Sequence, residues 1–324
     1  MKPQFLLTLL TLGLVAGTGL SLAQDTQPTS KPTSQPAAKK AAPGKYPEAA
    51  VKAEEVKITN HALAAGEVRT ESGTFELEME ISVQGQAPMT QTMNKTFERK
   101  LTVREVADGK ARLIGLSFVK QREVMAGSDG QGGVQKQERG KELEGKEFTV
   151  ERQPDGKVLN SDALGAEVKD FAVTRELQQA GRSVFGAGDL GAALSKEALK
   201  PGVSVNVDAK GMKVLLEMPA DDGLEVEIQD FTYRGTREVA GVKAAVFRVV
   251  FKLAPGEGAA QRGPAMTMEI GGEITVSVEG GRVVGIDMAG KMEFLPPAGG
   301  GAGGPTFEGE GVLRIQRTTK IKRS

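Results

Sequence analysis

The chain has no cysteine, no tryptophan, one histidine and only two tyrosines among its 324 residues. Without cysteine there is no disulfide framework and no thiolate metal site, so stability must come from an ordinary apolar core. The single histidine, His61 in Lys57-Ile-Thr-Asn-His61-Ala, leaves triad and Cys-His mechanisms without a placed base and excludes the common zinc sites. Aromatics make up only 4 % of the chain, and the lack of Trp disfavours a sugar-stacking platform. Neither charge is in excess: 42 basic residues stand against 42 acidic ones, which argues against a nucleic-acid partner.

A long apolar run is missing too. Lys2 precedes an apolar stretch, Phe5 to Val15, that is broken by Thr8, Thr11 and Gly13, and Ser21-Leu22-Ala23 follows. The stretch falls short of the roughly 20 apolar residues of a spanning helix. It predicts residues 1–23 as an export signal cleaved between Ala23 and Gln24, and hence an exported protein, periplasmic or secreted, that does not span a membrane. A membrane anchor is the rival reading. No Cys follows the run for lipidation, and no Arg-Arg pair precedes it. Residues 24–48, rich in Pro, Ser, Thr and Ala, read as a disordered linker, with a partner-recognition segment as the alternative.

From residue 49 the pattern changes to alternation with a period of two. Phe75, Leu77, Met79, Ile81 and Val83 alternate with Glu76, Glu78, Glu80 and Ser82, so one strand face is buried and the other wet. Phe97, Arg99, Leu101 and Val103 lead to Asp108-Gly109, a tight hairpin signal, with Ala111 to Val119 returning. The apolar parity of that return switches around Gly115, which predicts a bulge there. Phe148 and Val150, the turn Gln153-Pro-Asp-Gly156 and Val158 signal another hairpin. These segments make residues 49–160 a first β-meander.

Between 161 and 202 the spacing of Leu164, Val168, Phe171, Arg175 and Leu177 becomes helical, which predicts a connector of one or two helices. Strand character returns at Val203, Val205 and Val207 and runs through Phe231, Tyr233 and Val246 to Leu253, giving a second meander over 203–324. Ile274-Thr-Val276 and Val283-Val-Gly285 echo Leu101-Thr-Val103 and Leu113-Ile-Gly115. Duplication and mere resemblance of two Gly-turn hairpins explain that echo equally well. The Gly-rich stretch 296–305 is a spacer loop. The last strand sets Leu313, Ile315, Arg317, Thr319 and Ile321 against Arg314, Gln316, Thr318, Lys320 and Lys322. Arg314, Arg317, Lys320, Lys322 and Arg323 read either as charges guarding an edge strand or as a contact for an anionic partner such as phospholipid.

Few constellations carry chemistry. Gly186-Ala-Gly188-Asp-Leu-Gly191 matches G-x-G-x-x-G, but the strand before it is short and no βαβ unit follows, so dinucleotide binding is a third reading only. Glu54-Glu55, Asp221-Asp222 and the Glu76, Glu78 and Glu80 row could pair as acid and base, although solvated strand faces explain the last without function. Gly127-Ser-Asp129-Gly-Gln-Gly-Gly133 supplies one carboxylate where calcium needs several ligands. Ten methionines beyond Met1 in a chain poor in aromatics either fill a core or line a groove that accepts acyl chains.

The succession Leu143-Glu-Gly-Lys-Glu-Phe148, Pro154-Asp-Gly156-Lys-Val158, Ala198-Leu-Lys-Pro-Gly202, Phe231-Thr-Tyr-Arg-Gly235 and Val239-Ala-Gly241-Val242 resembles uncharacterised exported bacterial proteins built from paired β-meanders with a helical connector. The likeness spans about residues 49–324 and brings no functional residue with it. Together these features predict a mainly β fold: a large antiparallel sheet or open half-barrel from two meanders. The expected role is a non-enzymatic envelope protein without catalytic residues, cofactor or metal, binding an apolar or amphiphilic ligand such as a lipid on a concave sheet. The alternative is a structural or protein-interaction module of the envelope.

Overall fold

The computed structural model describes residues 50–83, 88–128, 133–185, 190–191, 194, 197–209, 212–213, 224–256, 265–295 and 307–323. The export signal with its Ala23–Gln24 junction, the linker, the loop at 296–305, Gly186, Gly188 and Asp129 lie outside the described residues. The body is one open, antiparallel, 11-stranded sheet. Its strands are β1 (Val68–Val83), β2 (Met89–Ala107), β3 (Lys110–Ser128), β4 (Val134–Arg139), β5 (Glu147–Arg152) and β6 (Val158–Asp162) before helix α1 (Phe171–Phe185). After it come β7 (Leu224–Val239), β8 (Val242–Pro255), β9 (Ala265–Ser277), β10 (Val283–Leu295) and β11 (Phe307–Lys322).

Spatial order is β6-β5-β3-β2-β1-β11-β10-β9-β8-β7, with β4 beside β3. Strands β7 to β11 pair in chain order, as do β1 to β3, whereas β3 is followed in space by both β4 and β5; the first and last strands join the two parts through 16 residue pairs from Val68↔Lys322 to Val83↔Phe307. This overturns the expectation of an edge strand at the C-terminus: β11 is central, flanked by β1 and β10. The order ends at β6 and β7, and both of these edges are blunted, while β4 has β3 as its one partner among the described strands. Residues 166–168 fold back on β6, where Asp162 N donates to the Ala166 carbonyl and Val168 N to the Asn160 carbonyl. On β7, Lys52 and Thr236 exchange both backbone hydrogen bonds, and Val205 N donates to the Phe231 carbonyl. Val203 to Val207, expected as a strand, therefore makes only a short bridge, at Ser204.

Local chemistry explains the turns. Asp108 (φ 51°) and Gly109 (φ 72°) both take positive φ, which matches the twist of the β2–β3 hairpin. At the Gln153–Gly156 turn, Asp155 Oδ1 accepts from Lys157 N at 2.9 Å. The parity switch in β3 does not come from Gly115, which pairs regularly with Thr102. The register breaks lie between Glu98 and Arg99 and between Val103 and Val106. The first leaves Val119 as an extra residue, 57 % exposed, so that Phe118 and Gln121 both point inward.

Two apolar clusters form on the face that carries Leu77, called the inner face below. The larger gathers Leu77, Phe231, Tyr233, Phe247, Phe251 and Ile270 under Val56, Ile58, Leu194 and Met212. The smaller sets Leu101, Ile114, Leu116, Phe118 and Val150 against Leu177, Ala180 and Val184 of α1. Each large apolar side chain buried this way contributes about 1.5–3 kcal/mol. The helical face differs from the one expected. Leu164 is 94 % and Phe171 68 % exposed. Leu164 sits in a turn where Asp162 Oδ1 accepts from Leu164 N and Ala166 N, ahead of the helix. Asp170 Oδ1 then caps α1 by accepting from Val173 N at 3.0 Å.

Candidate functional site

The strand registers fix which side chains share the inner face. On β1 that parity carries Phe75, Leu77, Met79 and Ile81; across β2, Met93 lies opposite Leu77 and Met89 opposite Ile81. On the other side Gly311 of β11 lies opposite Met79, and Met292 of β10 lies opposite Gly311. Met268 of β9 continues that row, with Met266 and Met288 on the same parity. Met125 of β3 faces Met93. All eight methionines of the described strands, residues 79, 89, 93, 125, 266, 268, 288 and 292, therefore share one face with Phe75, Ile270, Phe251 and Leu253.

The crowding of this face shows in its glycines. A Cβ on Gly311 would stand 2.7 Å from the Glu78 carbonyl, and one on Gly290 would stand 2.8 Å from Ile270 Cγ1. Neighbouring side chains fill the space that these glycines leave. Burial is uneven along the face. Met288 is 1 % and Met79 and Met292 each 4 % exposed, whereas Met89, Met93, Met266, Met268, Phe294 and Val226 are only half-buried. The half-buried set includes residues near the ends of β2, β9 and β10 that lie farthest from the level of Val68, so the apolar face opens toward that end.

The opposite end is charged. Glu67, just before β1, Arg69 and Glu71 on the inner parity of β1, and Arg99 of β2 are all at least nine-tenths buried. Arg69 Nη2 donates to Glu67 Oε1 at 2.8 Å, and Arg99 Nη2 lies 2.7 Å from Glu71 Oε2. Arg99 also lies 4.8 Å from the centre of the Phe97 ring. Burial works to raise the Glu71 pKa, but Arg99, with Arg317 and Arg69 beyond it, outweighs burial and holds it below the ordinary value. A second polar group ties α1 to the sheet: Lys95 Nζ donates to Glu176 Oε2 at 2.7 Å and Gln121 Nε2 to the same oxygen at 2.8 Å.

The basic residues of the last strand do not form one patch. Arg314, Lys320 and Lys322 point to the outer face; Arg317 points inward beside Gly73, and Arg323 reaches Glu67 Oε2 at 3.8 Å. His61 is exposed; its carbonyl accepts from Arg282 and its ring meets Arg323. Glu54 is structural: Lys52 and Lys243 approach it at 2.8 and 2.7 Å, and Thr236 Oγ1 donates to it. Gly191 backs onto the β9–β10 turn, where a Cβ would stand 2.5 Å from the Gly281 carbonyl, so close packing accounts for that glycine. The buried charges went unread in the sequence, although the β1 parity followed back through Gly73 reaches Glu71, Arg69 and Glu67. Among the described residues no His, Cys, Asp and Glu cluster could hold a metal ion, and no helix is long and apolar enough to cross a membrane.

No family model and no curated protein matches the chain. Among solved structures, a lipovitellin structure concerned with lipid–protein interactions aligns with 81 % of this chain at 6 % identity and TM-score 0.37, and the chain spans only 26 % of its length. An outer membrane channel from Pseudomonas putida aligns with 81 % of this chain and 97 % of its own at 9 % identity and TM-score 0.21. At these scores neither likeness bears on fold or ligand.

Proposed function

We propose that the protein is an exported, non-enzymatic binder of an apolar or amphiphilic ligand, which it holds on the methionine end of the inner sheet face. One observation carries the reading: every methionine of the described strands lies on that single face, and four of the eight, Met89, Met93, Met266 and Met268, are only half-buried. Plain core filling would not require the flexible residue type to collect where the face is open. Met is unbranched and polarisable, so it adapts to chains of variable shape. Export is supported by Lys2, the apolar stretch Phe5 to Val15 and the small residues before Gln24.

The test uses the mature chain, residues 24–324, purified from an exporting host. Organic extraction followed by mass spectrometry should recover acyl lipid, and long-chain acyl compounds should displace an environment-sensitive dye. Protein that yields no lipid and releases no dye refutes the reading.

A further inference from the structure

Strand β4 presents an open edge. It pairs with β3 from Glu123↔Arg139 to Ser128↔Val134 and with no other described strand. Val134 to Glu138 are exposed and Arg139 is half-buried, so water reaches both faces of β4. In an antiparallel pair every second residue turns its N–H and C=O away from the partner, so three of the six residues of β4 hold backbone donors and acceptors out to the side. Such a row is a template for another strand.

The sequence of β4, Val-Gln-Lys-Gln-Glu-Arg, suits a second copy of itself. Two identical strands that meet antiparallel, edge to edge, bring together only residues of the same parity, because only alternate residues face outward. The two-fold axis between them therefore passes through a residue. An axis through Gln137 sets Lys136 opposite the partner's Glu138, twice, and Gln135 opposite the partner's Arg139, twice. An axis through Lys136 or Glu138 sets like charges face to face, and one nearer either end pairs at most three residues of the strand. Opposite charges facing each other across a strand pair stabilise it, and like charges destabilise it. Lys136 and Glu138 lie on the outer face, since Gln137 between them pairs with the inner-face Met125. Arg122 already stands 2.8 Å from Glu138 there, so Arg122, Glu138 and the partner's Lys136 line up across three strands.

We propose that the protein self-associates through β4, two copies joining their sheets antiparallel about a two-fold axis at Gln137. Such an axis stands normal to the sheet and keeps both inner faces on one side. One cross-strand row then runs Leu77, Met93, Met125, Gln137 and on through the same residues of the partner in reverse, so the two methionine faces adjoin. The antiparallel arrangement sends the partner's β5 and β6 to the opposite end of the seam, clear of the first copy's own. Against an unrelated apolar strand the same charges go unpaired, so the edge selects its own sequence. Six residues a side make a small seam, and association is accordingly weak, about micromolar to millimolar.

Sedimentation velocity of the mature chain, from about 1 μM to about 1 mM and without added lipid, should show a reversible monomer–dimer equilibrium. Lys136→Glu and Glu138→Lys each put like charges opposite one another, and each alone should weaken dimerisation at least about tenfold while changing the melting temperature little. Mixed in equal amounts, the two variants complement each other and should form a heterodimer. Because the chain lacks cysteine, Gln137→Cys installs a single thiol. Directly opposed Cα atoms lie about 4.5–5.5 Å apart, within disulfide reach, so this variant should oxidise to a covalent dimer. Gln135→Cys, about 14 Å from its equivalent in the partner, should not. A chain that stays monomeric at about 1 mM overturns the proposal and leaves the edge to a strand of another protein. A dimer indifferent to the charge reversals overturns it too, as do folded variants that fail to pair when mixed. Equal cross-linking at both thiol positions marks chance collision and has the same consequence.

Discussion

Tyr233 Oη donates to the backbone carbonyl of Glu54 at 2.8 Å, across 179 residues of chain. The bond fastens the segment that precedes the sheet onto β7, where the Glu54 carboxylate meets Lys52, Lys243 and Thr236. Tyr233→Phe keeps the ring, which packs against Phe247 with centroids 5.6 Å apart, and removes only the donor. It should cost about 0.5–1.5 kcal/mol in chemical denaturation and leave acyl binding unchanged.

The same anchor sets an acid dependence. Hydrogen bonds from Lys243, then Lys52 and Thr236, hold the Glu54 carboxyl at about 2 against an ordinary 4.5. A depressed carboxyl stabilises the fold fully above the ordinary value and loses that contribution as pH falls through the lowered one. The stability gap between wild type and Glu54→Gln should therefore be constant above about pH 5 and close as pH approaches about 2. A gap that persists unchanged at the acid end contradicts the assignment.

Helix α1 docks on the first meander through Leu177, which is fully buried, and through Glu176. Leu177→Ala should cost about 2–5 kcal/mol. Hydrogen exchange should show residues 171–185 losing protection well before β8 and β9, because the helix packs on the smaller cluster alone.

Burial along the methionine face separates stability from binding. Met288→Ala, at a site 1 % exposed, should destabilise by about 2–5 kcal/mol. Met268→Gln, at a half-buried site, should change the melting temperature little and weaken acyl displacement of the dye several-fold. Equal effects on stability at both sites, with no effect on binding, would mark the face as ordinary core.

Much of the sheet was legible because its signals are local. Glutamates alternating with Phe75, Leu77 and Met79 name the buried side of β1, and Asp108-Gly109 names its own turn. What stayed hidden was long-range. Nothing near Leu313 or Ile315 shows that their partners are Leu77 and Phe75, more than 230 residues away, so β11 read as an edge. The charged end was missed for a different reason: Glu71 and Arg99 are polar, and only their pairing across β1 and β2 makes an inward parity affordable. Leu164 reads as helical because it falls seven residues, about two helical turns, before Phe171, but it sits in an Asx turn ahead of the helix.

Methyl NMR of the mature chain, labelled at methionine and titrated with palmitate, observes the proposed surface itself. The account predicts that the methyl signals of Met89, Met93, Met266 and Met268 shift together and saturate, while that of Met212, fully buried within the larger cluster, moves least. Signals from the inner-face methionines that stay fixed at saturating palmitate would contradict it.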